Sequence, residues 1–463
     1  MSESYDLTIT GGDIVSARSV GPGTVAIRDG RVAAILAPDE QPEAAQTIDA
    51  TGLHVLPGII DTHVHLRSPG NSEREDVVSG TSAAAAGGIT SLMEMPISTL
   101  PANTAEGVYG RVETFDRDAL IDFGLYGAAG HENIDRIPEI ADAGVLAFKT
   151  FLTGPPLHRE GEFFGLWCLD HADMQNVMAA TAKTGLRHSF HCENYPMLST
   201  MIDRLSEAGR TDGPAHAESR PSIVEDTSVA TMMAIATYTG GPVEVVHLSS
   251  PNAAQLVREA KNRGLDVIAE TCPQYLCLNA EELAMHNGLA KCNPALRTAD
   301  EVERLWPYLL DGTIDFIGSD HSPFLRHEKQ DEDIFKVPPG CPGLESMVPM
   351  LLTAVNQGQL TLPDLVQKMS TRAAEVFHLD RKGQLAPGYD ADVTLVDMSA
   401  RWTFDMYSCF SKSGESMDTA HGKEMHGKVN CTIVRGVPVY RNGAIVAQPG
   451  HGQWLKRQGR SSG

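Results

Sequence analysis

The sequence predicts an α/β fold: a (β/α)8 TIM barrel carrying a small β-sandwich domain assembled from both chain ends. Three observations carry that expectation. Eight short β-rich runs alternate with longer Ala- and Leu-rich helical stretches through the middle of the 463-residue chain. The two ends share a different texture, period-2 alternation broken by glycine turns. No G-x-G-x-x-G follows the first strand of the middle segment, where an open doubly wound sheet would carry its phosphate turn.

Taken in order, residues 1–53 form the first part of the sandwich, with alternating runs at 6–10, 24–28 and 31–35 and a hairpin signal at Asp29-Gly30. Residues 54–380 form the barrel. Its strands are expected at 54–66, 89–96, 122–129, 145–152, 187–193, 242–249, 266–275 and 315–323. Helices fall between them at 79–86, 134–141, 173–183, 228–239, 253–262 and 301–310, with two more at 344–355 and 362–377. The run GQLAPGYDAD (383–392) leads into the second part of the sandwich, 381–449, with strands at 392–396, 431–435 and 437–440. Chain ends that lie close together make such an assembly easy. Residues 450–463 read as a polar, frayed tail.

Composition narrows the function. With 42% apolar and 21% charged residues, the chain reads as a soluble globular protein with a large core. Its net charge of −23 argues against nucleic acid or an anionic membrane as partner. No apolar run suggests a membrane helix, and the N-terminus shows no secretory signal. The eight cysteines are scattered without a C-x-x-C pair, which reads as reduced thiols in a cytoplasmic protein.

The chemistry sits at strand ends. His63 and His65 close the first barrel strand, and alternation puts both imidazoles on one face. Such a pair suits zinc, iron, nickel or manganese. Lys149 lies in the fourth strand, His191 ends the fifth, His247 the sixth and Asp320 the eighth. Scattered core polar residues would not fall at the catalytic end of barrel strands so regularly. Four histidines, an aspartate and a lysine suit two divalent ions. A lysine there can react with CO2, giving a carbamate whose two oxygens bridge the metals. A water held between the ions becomes a nucleophile near neutral pH, and Asp320 is placed to carry its proton to the leaving nitrogen.

These residues lie in runs that resemble the cyclic amidohydrolases: dihydropyrimidinase/hydantoinase, allantoinase and dihydroorotase. The matching runs are PGIIDTHVH (57–65), AAGGIT (85–90), FK (148–149), HCEN (191–194), VH (246–247), ETCPQY (270–275) and SDHSP (319–323). The resemblance spans nearly the whole chain. It implies that His63, His65 and Asp320 hold one metal, that His191 and His247 hold the other, and that a carboxylated Lys149 bridges them. Zinc is the first candidate. It also implies a homo-oligomer, tetramer or dimer, acting on a small-molecule cyclic amide.

The ring itself is less determined. HLRSPG (65–70) and KCNPALR (291–297) look like dihydroorotase, in which the residues matching Arg67 and Asn293 contact the substrate. The plain alternative for Arg67 is a surface ion pair with the acidic stretch 73–76. HAESRP (216–221) and EMPI (94–97) look like allantoinase or hydantoinase. Typical D-hydantoinases place an oxyanion-donating tyrosine five residues after the bridging lysine, but Gly154 stands there. Thr153 and His321 are the replacement candidates, with His321 alternatively a partner of Asp320. Two loops, 154–165 with His158, Phe163 and Phe164, and 335–344 with Cys341, are expected to shape the pocket. Cys341 counts as a substrate-lining residue, not a nucleophile. The expectation is hydrolysis of a ureide, hydantoin or imide ring by a bridging hydroxide. Dihydroorotase-like chemistry on a carboxylated ring comes second, and a non-catalytic oligomeric scaffold of the same fold is the reading from another class.

Overall fold

The computed structural model describes residues 4–40, 42–156 and 159–457. Eight parallel strands run in sequential order: β1 (Ile59–Val64), β2 (Ile89–Glu94), β3 (Asp122–Ala128), β4 (Ala147–Phe151), β5 (Arg187–His191), β6 (Val243–Val245), β7 (Val267–Thr271) and β8 (Phe316–Ile317). The edges close on each other: Val64 bridges His321 in parallel, His65 N donates to His321 O at 2.8 Å, and Ser319 N donates to Asp61 Oδ1 at 3.0 Å. This is the expected TIM barrel. Apolar residues from its strands and the surrounding helices form one main core.

Most expected helices appear with extended ends, such as Ser222–Thr239 and Pro251–Asn262. Ala105–Asp118, Tyr195–Glu207 and Gly213–Ser219 are additional. Several strands are shorter than expected. Positive φ at His247 (40°) and Asp320 (48°) turns the chain out of β geometry after β6 and β8. Pro273 opens a short helix, Pro273–Cys277, directly after β7.

The chain ends build a second, nine-stranded sheet. His54–Pro57 lies at its centre, between Tyr5–Val15 and Val393–Thr403. The expected strand 54–66 is therefore divided, its first part belonging to the terminal sheet. Gly58 is the crossing point, because a Cβ there would stand 2.1 Å from Thr90 Oγ1. Leu7, Ile9, Val25, Ile27, Val393, Leu395 and Ile433 share one core between the N- and C-terminal strands. The Asp29-Gly30 hairpin forms as expected, both residues having positive φ.

The tail departs from the frayed expectation. Phe123 N donates to Gln453 O at 3.0 Å and Leu455 N to Phe123 O at 2.7 Å, so the segment runs along β3. Trp454 and Leu455 supply the apolar surface that makes docking favourable. Residues 458–463 lie outside the described residues.

A buried charge cluster ties the terminal sheet to the barrel. Lys382 Nζ contacts Asp122 at 2.5 Å, Asp392 at 2.6 Å and Asp390 at 3.1 Å, and Arg435 also pairs with Asp122. Removing one partner of such a cluster strands the others in a poorly solvated place. Lys382→Met is expected to cost about 3–5 kcal/mol, read as a lower denaturant midpoint, with Lys382→Arg losing much less.

Candidate metal centre

The β1 strand sets the first two imidazoles. Its pairing with β2 slips between Asp61 and Val64, a bulge that lets consecutive residues reach inward. Thr62 and His63 both contact one buried carboxylate: Thr62 Oγ1 donates to Glu270 Oε2 at 2.6 Å, and His63 Nδ1 lies 2.7 Å from Glu270 Oε1. The opposite nitrogen, His63 Nε2, is buried and lacks a hydrogen-bond partner. It lies 3.4 Å from Asp320 Oδ1, and His65 Nε2 lies 3.3 Å from the same oxygen. His63, His65 and Asp320 thus offer three ligand atoms within 4.8 Å of one another.

A second group stands beside the first. His191 Nδ1 and His247 Nε2 are 3.0 Å apart, and the His247 ring centroid is 5.3 Å from that of His63. Glu193 fixes His191 through Nε2 at 2.8 Å and is itself held by Arg220. Burial pushes the Glu193 carboxyl up, but Arg220 and His191 overcome that and hold it below the usual range. Lys149, fully buried in β4, has no hydrogen-bond partner for its Nζ among the described residues. Burial lowers its ammonium to about 8, against the pull of Asp320, Glu270 and Glu244.

The electrostatics suit cation ligation. Burial keeps His63, His65 and His247 well below the ordinary imidazole range, so they stand neutral with lone pairs available. Burial and the neighbouring positive groups act together on each of them. The unpartnered His63 Nε2, His247 Nδ1 and Lys149 Nζ are costly to bury unless something accepts them. A donor set of this kind fits divalent cations, with Glu270 orienting His63 from behind. Glu270 was not legible as such, although a charged residue at a strand end was a usable signal. Glu270→Gln is expected to weaken metal binding about 10- to 100-fold, measured by competition with a chelator.

The sequence-derived substrate residues divide. Arg67 is buried with φ 57°, its Nη2 donating to Ser322 Oγ at 2.6 Å and its guanidinium 4.3 Å over the Phe324 ring. It is not the surface partner of 73–76; there Arg74 pairs with Glu328 and Asp76 with Lys412. Its Nε and Nη1 have no hydrogen-bond partner among the described residues. Asn293 keeps a buried Oδ1 without a hydrogen-bond partner among the described residues. Thr153 is half-buried. In His321, Nδ1 accepts the Gly343 amide at 3.1 Å and Nε2 faces Glu75 at 3.6 Å. That ring braces the 341–344 segment through Nδ1, and its Nε2 has no hydrogen-bond partner among the described residues. The Cys341 thiol points to the Leu289 and Lys291 carbonyls, and burial raises its pKa. Of the pocket loop 154–165, Phe163 is buried and Phe164 exposed, whereas His158 lies outside the described residues.

Buried imidazoles, a lysine and an aspartate gathered toward one end of a (β/α)8 barrel have the donor chemistry of a divalent-cation hydrolase site. The amidohydrolase family profile matches residues 54–439, and the chain belongs to that family. It is an enzyme of the cyclic amidohydrolase class. An allantoinase of Solibacter usitatus is 33% identical over 453 residues, covering 97% of each chain. An L-hydantoinase of Paenarthrobacter aurescens is 30% identical over 459 residues, covering 98% of each. Among solved structures, the L-hydantoinase (dihydropyrimidinase) from Arthrobacter aurescens superposes with a TM-score of 0.92 at 29% identity, covering 98% of this chain and all of that one. A D-hydantoinase from Thermus sp. gives 0.88 at 28% identity, covering 97% and 99%. No helix among the described residues is long and apolar enough to cross a membrane.

Proposed function

We propose that this enzyme hydrolyses the C–N bond of a ureide or hydantoin-type ring, with allantoin as the first substrate to try. The observation that carries the proposal is the convergence of His63, His65, His191, His247, Lys149 and Asp320 at one barrel mouth. Full-length similarity to allantoinases supports the ring class. His63, His65 and Asp320 would hold one divalent ion, zinc first, and His191 and His247 the other. Lys149, carboxylated by CO2 at Nζ, would bridge them. When bound, the ions supply an acidified water and polarise the ring carbonyl. The chain's own share is positional. Asp320 takes the proton of the attacking water on its carboxylate and returns it to the ring nitrogen as the C–N bond breaks. Glu270 and Glu193 keep the His63 and His191 rings aimed. The product is an N-carbamoyl or amidic acid.

One feature favours the second reading, a carboxylated dihydropyrimidine ring: the buried Arg67 with two unpartnered N–H groups. A guanidinium fork suits a carboxylate. The test is metal-reconstituted protein assayed on allantoin, hydantoins, dihydrouracil, dihydroorotate and cyclic imides. Preferred turnover of allantoin or a hydantoin supports the proposal. Preferred turnover of dihydroorotate, lost in Arg67→Ala, supports the second reading. No bound metal and no turnover would leave the scaffold. The homo-oligomer, tetramer or dimer, belongs to the same proposal and is read by light scattering.

A further inference from the structure

The loop after β4 and the helix after β5 meet at the barrel mouth. Leu152 N donates to His191 O at 3.0 Å, and the Phe151 ring stacks on His191 with centroids 5.2 Å apart. Beyond this junction the β4 side presents Gly154, which has no side chain. The β5 side presents Tyr195, the first residue of the helix Tyr195–Glu207, whose start is fixed by Asn194 Oδ1 accepting from Met197 N at 3.2 Å. The Tyr195 ring lies against Gly154. A Cβ at 154 would stand 3.3 Å from its Cζ and 3.4 Å from its hydroxyl oxygen. Tyr195 is 38% exposed, and its hydroxyl has no hydrogen-bond partner among the described residues. The ring is thus seated while its O–H donor remains free at the mouth.

In a barrel of eight sequential strands, β1 and β5 lie on opposite sides. Arg67, three residues past β1, and Tyr195, four residues past β5, therefore stand on opposite rims. Of the other donors considered, His321 turns Nδ1 to the Gly343 amide and Nε2 toward Glu75.

We propose that Tyr195, its ring seated in the space that Gly154 leaves, is a substrate-contacting residue whose hydroxyl donates a hydrogen bond to a carbonyl oxygen of the bound ring. The proposal rests on the cyclic-amide reading and names a residue that decides ring choice within it. A tyrosine brings a stiff ring and one donor, so orienting a substrate through it costs little conformational entropy.

Tyr195→Phe tests this, because it keeps the ring on Gly154 and removes only the hydroxyl. On the best ring substrate, kcat/KM is expected to fall about 10- to 100-fold, with metal content and denaturant midpoint unchanged. Equilibrium binding of the same ring to metal-loaded protein in the Asp320→Asn background, with and without Tyr195→Phe and followed by calorimetry, gives the comparison without turnover. Gly154→Ala adds a methyl against the phenol and is expected to lower kcat/KM in the wild-type background but not in Tyr195→Phe. Wild-type kcat/KM and wild-type ring binding in Tyr195→Phe would overturn the proposal. Failure of the cyclic-amide reading looks different: the unmodified enzyme would then open none of the rings.

Discussion

Lys149→Ala is expected to lower kcat by about 1,000-fold or more and to release bound metal. The reason lies in the interior of β4. The Lys149 Nζ is fully buried without a hydrogen-bond partner, in a neighbourhood that already holds four imidazoles. Burial lowers its ammonium, which raises the fraction of free amine that can capture CO2. Once carboxylated, it contributes an anion where the alanine contributes nothing, and two closely spaced cations would then repel each other with less compensation. Two measurements check this. Elemental analysis of the variant should show less than one full complement of metal. Intact-mass analysis of the native protein, prepared without acid, should show the added CO2. Full activity in Lys149→Ala would mean that one ion suffices, and the two-metal arrangement would have to be abandoned.

Asp320→Asn should be the second large effect, a fall in kcat of about 100- to 10,000-fold with substrate binding less affected. The substitution is nearly isosteric. Asparagine also tolerates the left-handed backbone that Asp320 adopts at φ 48°, so the local chain path should survive. What is lost is the ability to accept a proton beside His63 and His65, 3.4 and 3.3 Å away. Steady-state kinetics on the preferred ring, with circular dichroism as a fold control, decides the matter. Retention of a tenth of wild-type kcat would remove Asp320 from the proton path.

The barrel and the six residues of the candidate centre were legible because each rests on a local signal. Alternation marks a strand, and an imidazole or carboxylate at its C-terminal end marks a site on this fold. What escaped the sequence depends on neighbours far apart in the chain. Periodicity shows that 54–57 is a strand but not which sheet it joins, and Gly58 makes the change of sheet possible. Glu270 reads as a buried acid in β7, while its grip on His63 appears only when β7 and β1, which are not neighbours, turn these side chains into one barrel interior. The ring of His321 follows Asp320 immediately, yet positive φ at Asp320 sends the two side chains to different tasks. Tyr195 gains meaning only from the bare backbone at Gly154. The docking of Trp454 and Leu455 on β3 was hidden by the polar residues around them.

Arg67, His247 and Asp320 all hold non-glycine backbone at φ between 40° and 57°. Such conformations cost about 1–3 kcal/mol apiece. Selection for heat tolerance alone would have reason to accept glycine at these positions, where it relieves the backbone. On the proposed assignment it would also strip side chains from the centre, so screens for hardy descendants of this enzyme need turnover in every round.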